Sequence, residues 1–125
     1  FDKLANQLLA PKEFVLPVRS PKSMTQSDSA LYAANVGDEV LCSVGGKVTH
    51  IGWQEGLGKC VRITDSKATT WTYAHLDSID VQVGRTIQAG TRIGTVGQTG
   101  NATEPCVELL AHLEQSPLNV SKLLG

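Results

Sequence analysis

The chain has 125 residues, 41% hydrophobic and 18% charged, with a formal net charge of −1. Those figures fit one globular domain with one core and exclude a disordered chain. They give no electrostatic reason to expect nucleic acid or an anionic membrane as a partner, and no apolar run is long enough to span a bilayer.

Asp2–Leu9 reads as a short helix, capped by Asp2 and stopped by Pro11, with Leu4, Leu8 and Leu9 near one face. Residues 1–12 are therefore expected to be the helical end of a linker, and residues 13–125 the domain. Phe14–Val18 reads as an edge strand because it contains a proline. Arg19–Asp28 is polar and reads as a loop. Leu31–Trp53 reads as strand, turn, strand, with Gly45-Gly46 as a hairpin signal. Lys59–Thr64 alternates as a strand should. Trp71–Gly100 begins as a strand and continues as very short strands separated by Gly84, Gly90, Gly94 and Gly97. Cys106–His112 is the last strand, and Pro117–Leu124 ends in a helical turn. Val36–Val40 (V-G-D-E-V) and Val83–Ile87 (V-G-R-T-I) echo one another, which predicts two similar hairpin units packed face to face.

Cys42, Cys60 and Cys106 are widely spaced, with no C-x-x-C, so a zinc knuckle is excluded. Cys42 and Cys60 lie on consecutive predicted strands and could meet, although burial as small apolar residues is the preferred reading. Trp53 and Trp71 are expected in the core rather than lining a groove. His50 is expected at a strand end on the surface, and His112 at an exposed position just past the last strand. Asp65, in the turn Asp65–Ala68, is read as a solvated turn residue.

Y-A-H-L at 73–76, the run V-x-V-G-x-x-I-x-A-G-x-x-I-G-x-V-G-x-T-G at 81–100, and the N-A-T-x-P that follows resemble the LytM/lysostaphin-type peptidase domain. The resemblance implies a mainly β fold, a small antiparallel barrel-sandwich hybrid with short terminal helices. Active members are zinc endopeptidases that cut peptidoglycan. By that resemblance, zinc is held by a His and an Asp of H-x-x-x-D and by a His of H-x-H on the last strand, and the His of Y-A-H-L is catalytic. A hydrolytic site needs about three such ligands and an open position for water.

Carried onto this chain, the first motif falls on Ser27 and Leu31. The H-x-H positions fall on Cys106 and Glu108. A rival register with an insertion after Pro105 would bring His112 into the second position and Leu110 into the first. His75 matches the catalytic histidine. Only Glu108 of the ligand positions can bind zinc, so the domain is expected to be a degenerate member with no cofactor, no metal and no hydrolase activity. The vestigial site is Ser27, Leu31, His75, Cys106 and Glu108, and Leu31, Tyr73, His75, Cys106 and Glu108 are expected to form a partner-binding cleft. His75 is expected to hydrogen-bond Glu108.

The resemblance further implies an extracytoplasmic place in the bacterial envelope. There the domain would act as a regulatory or scaffold module in peptidoglycan remodelling or division, with a cell-wall amidase or scaffold protein as its partner. Two alternatives stay open. One is an active peptidase using zinc or a Cys106–His75 dyad, and the other is a passive cell-wall-binding or assembly domain.

Overall fold

The computed structural model describes residues 13–26, 28–113 and 116–123. The expected helix at Asp2–Leu9 lies outside them. The strands are β1 (Ser23–Gln26), β2 (Ala30–Ala33), β3 (Glu39–Leu41), β4 (Gly46–Gln54), β5 (Gly58–Thr64), β6 (Thr69–Ile79), β7 (Thr86–Ile87), β8 (Arg92–Val96), β9 (Cys106–Leu113) and β10 (Ser116–Leu118). A single helical turn, α1 (Val120–Leu123), follows. The fold is mainly antiparallel β, as expected. The strands run in the order β1-β2-β9-β6-β5-β4-β7, with β10 on β9 and with β8 joining β3 to β6. The sheet is open, with β1 and β7 at its ends.

The echo in the sequence is a structural duplication. The strand that follows each echo segment pairs with the opposite echo segment. β3 lies against β8, and β7 lies against the start of β4. The hydrogen bonds repeat as well. Gly37 N–H donates to Val96 O, and Val96 N–H donates to Asp38 O. Gly84 N–H donates to Val48 O, and Val48 N–H donates to Arg85 O. Gly46 and Gly94 occupy matching places in the two units. A Cβ at either would lie 2.2 Å from a backbone oxygen, Thr64 O or Ser78 O respectively, so no larger residue fits.

The core lies on one face of the long strands. Trp71 and Tyr73 on β6, Val61 and Ile63 on β5, and Val107 and Leu109 on β9 are fully buried there. These residues sit two apart on each strand, which is the period that places side chains on one face. Asp65 is not a solvated turn residue. It is 9% exposed, and its carboxylate accepts from the Lys67 and Thr69 N–H groups and from Trp71 Nε1. It therefore fixes the turn and anchors the largest core side chain at once.

Several expectations are corrected. Phe14–Val18 is not a strand. Val15 N–H donates to Ser43 O and Pro17 O accepts from Leu41 N–H, while Pro17 has no N–H to continue a ladder. The loop expected at Arg19–Asp28 contains β1, a four-residue strand with every side chain exposed, so no burial pattern marks it. Trp53 is 64% exposed. His50 and His112 lie within β4 and β9, both half-buried. All three cysteines are buried free thiols, so Cys42 and Cys60 are not bridged.

Candidate active-site cleft

β9 alternates between two environments. Val107, Leu109 and Ala111 face the core, while Cys106, Glu108, Leu110 and His112 face the other way. Glu108 stands directly between Leu31 on β2 and Ala74 on β6, and Cys106 stands opposite Ala33. The fold therefore brings Leu31, His75, Cys106 and Glu108 together. They line one cleft of about 360 Å³, closed on its other sides by the β4–β5 hairpin tip at Leu57 and by the segment around Asn101. Ser27 lies outside the described residues. Tyr73 is corrected: its side chain is fully buried, its hydroxyl accepts from Ser43 N–H, and it forms no part of the cleft wall. Strand alternation explains this, because Tyr73 shares the core face with Trp71. A larger groove of about 680 Å³ lies at the opposite end of β4 and β5 and holds none of these residues.

His75 sits at an irregularity in the sheet. Its φ is +68°, a left-handed conformation rarely adopted by residues with a Cβ. The pairing registers of β5 with β6 and of β6 with β8 both shift beside it. The conformation is held by the His75 N–H, which donates to Leu57 O at 2.7 Å. Strain of this kind persists where surrounding contacts fix it, and it concentrates at sites.

The ring of His75 is fully engaged. Nδ1 lies 2.7 Å from Thr99 O and Nε2 lies 2.9 Å from Glu108 Oε1. A backbone carbonyl only accepts, so Nδ1 carries a proton. The hydrogen bond from His75 holds the Glu108 carboxyl below its ordinary value, with a further contribution from Ser29. Nε2 faces the Glu108 carboxylate, and that hydrogen bond raises the His75 pKa against the opposing effect of burial. The second Glu108 oxygen accepts from Ser29 Oγ at 2.7 Å.

These residues do not fit a hydrolytic zinc ion. Both ring nitrogens of His75 and both carboxylate oxygens of Glu108 are hydrogen-bonded within the cluster. Leu31 has no donor atom. Cys106 is 1% exposed, and its thiol is pushed up to about 11 by burial and by the carboxylates of Glu104 and Glu108. Among the described residues, no three His, Cys, Asp or Glu side chains are grouped to hold a metal ion. The same features oppose a Cys106–His75 dyad, because both ring nitrogens of His75 are bonded elsewhere and the Cys106 thiol stays protonated at neutral pH.

Ser29 and Thr99 complete the cluster and were not expected there. Thr99 lies in the T-G-N run that carries the resemblance, whereas nothing in the sequence marks Ser29.

An antiparallel sheet of duplicated hairpins with a cleft in this position is the fold of a peptidase family. Residues 25–120 match the model of peptidase family M23, and the chain belongs to that family. It is 34% identical over 88 residues to the DD-carboxypeptidase/endopeptidase Mpg of Neisseria meningitidis serogroup B, covering 70% of this chain and 20% of that protein. It is 32% identical over 81 residues to the cell division protein DipM of Caulobacter vibrioides, covering 64% of this chain and 13% of that protein. The chain thus spans about a fifth or less of these relatives. A zinc-containing peptidase from Vibrio cholerae shares the fold with a TM-score of 0.80 at 20% identity, over 92% of this chain and 40% of that one.

Proposed function

We propose that this domain is a non-catalytic member of family M23 that binds a protein partner in the bacterial cell envelope. One observation carries the reading: the donor atoms of the cleft are spent on one another. Ser29, Glu108, His75 and the Thr99 carbonyl form a continuous chain of hydrogen bonds. In a hydrolase, the equivalent atoms must be free to hold the metal or to take a proton from water. Here the cluster is a strut that fixes the cleft's shape. Leu31 and Leu57 give the cleft apolar contacts, which suit a buried side chain of a partner better than a hydrated ion.

The family and the cell division relative support a role in peptidoglycan remodelling or division, in an extracytoplasmic location. A cell-wall amidase or a scaffold protein is the partner that fits this setting. The test has two parts. Purified protein equilibrated with zinc is assayed on isolated peptidoglycan and released muropeptides are measured. The protein is then offered to envelope amidases, and their rates are compared with and without it. No release together with amidase stimulation is expected. Muropeptide release that is abolished by His75→Ala would overturn the reading.

A further inference from the structure

The outer face of the sheet continues past the cleft. Residues directly opposite on antiparallel strands share a face. His50, Arg62, Thr72 and Leu110 are linked in this way across β4, β5, β6 and β9. The next row carries Thr64, Thr70 and His112. We propose that this face holds a carboxylate-binding site built on Arg62, Thr72 and His112, and that its occupant is an acidic side chain of an extended protein segment.

Three independent features point there. Arg62 is half-buried, and its guanidinium donates to the neutral amide oxygen of Gln54. Among the described residues it forms no ion pair, because the ion pairs involve other side chains. A partly desolvated arginine without a carboxylate is uncommon. Thr72, opposite Arg62, is fully buried, and its hydroxyl has no hydrogen-bond partner. Such groups call for an explanation. Burial, together with the charge of the nearby Arg62 guanidinium, lowers the pKa of His112. The ring is therefore neutral at physiological pH and can donate one hydrogen bond.

Nearby carboxylates cannot fill the role. Glu108 shares this face two residues along β9, but its oxygens are held by His75 and Ser29. Asp65 is committed to Trp71 and the turn. A single guanidinium matches the planar fork of a carboxylate better than a phosphate dianion, which calls for more positive charge. The position suits a side chain on an extended segment. Leu110 stands between the cleft and this site, about 7 Å along β9 from Glu108. A segment crossing the strands obliquely from β2 to β5 would place an apolar residue over Leu31 and an acidic one over Arg62, about 16 Å away. The site does not depend on whether the cleft binds metal.

The test uses nitrogen-15 spectra of the whole chain titrated with the peptide acetyl-Leu-Ala-Glu-Ala-amide, its Gln counterpart and inorganic phosphate. Saturable shifts at the Thr72 amide and the Arg62 and His112 side chains are expected with the Glu peptide. The Gln peptide and the Arg62→Gln variant should each bind about tenfold more weakly. Arg62→Lys keeps the charge and should bind at an intermediate level, and Thr72→Val should weaken binding by about threefold. Equal binding of the two peptides, or unchanged binding by Arg62→Gln, would overturn the proposal. Phosphate giving these shifts while both peptides give none would overturn it too.

Discussion

The duplicated hairpins and the cleft respond differently to sequence change. In the hairpins, Gly46 and Gly94 occupy equivalent places and meet the same constraint, a backbone oxygen 2.2 Å from any added Cβ. The cleft lies on the opposite face of the same long strands. On β9 the core residues Val107 and Leu109 alternate with Cys106 and Glu108. Packing therefore constrains one face and leaves the other free to exchange donors for apolar groups or internal hydrogen bonds. A fold can keep its scaffold while its chemistry is lost, because the two are carried by alternate residues.

That contrast can be tested by substitution. The largest effect is expected from Gly94→Ala or Gly46→Ala, each costing about 3 kcal/mol through forced backbone displacement, as read by urea denaturation. A cost below about 0.5 kcal/mol would show that the glycine constraint is not real.

Glu108→Gln is expected to cost about 2 kcal/mol, the scale of a charged hydrogen bond, because it removes the carboxylate that His75 Nε2 is bonded to. The pH profile sharpens the point. His75 has a folded pKa above its ordinary value of 6.5, so its contribution is complete below 6.5 and is lost as pH rises through the folded value. Glu108 has a folded pKa below 4.5, so its contribution is complete above 4.5 and is lost as pH falls through the folded value. Stability from the pair should therefore be greatest between those two ordinary values, and the alkaline decline should be smaller in His75→Gln. An unchanged decline would place the titration elsewhere.

Cys106 should react with a disulfide reagent about 100-fold more slowly than a free thiol at pH 8, given its raised pKa and burial. Mass spectrometry of the labelled peptides reads this, and rapid labelling would restore the dyad. The smallest effect is expected from Trp53→Ala, within about 0.5 kcal/mol, since that ring is mostly exposed.

Much of this was readable in the residues. The glycine pacing between Val81 and Gly100 and the two echoing segments marked the hairpins, because only a tightly bent backbone needs glycine at those points. The cleft residues Leu31, Cys106 and Glu108 were found by position in a motif. Three other features were hidden. β1 is exposed on both faces, so no alternation of burial betrays it. Residue type alone places Trp53 in the core, and it cannot tell an outward-facing strand position from an inward one. The engagement of His75 by Thr99 and Ser29's bond to Glu108 depend on contacts separated by 24 and 79 residues. Local patterns carry no signal at that range.

The cleft is proposed to hold no hydrolytic metal, and the direct measurement is metal content. The chain is purified without chelator, equilibrated with zinc, dialysed and analysed by mass spectrometry of the metal. A content below about a tenth of an equivalent is expected, since the remaining donors are too few and already bonded. Close to one equivalent, lost on Glu108→Ala or His75→Ala, would contradict it and mark the domain as a peptidase.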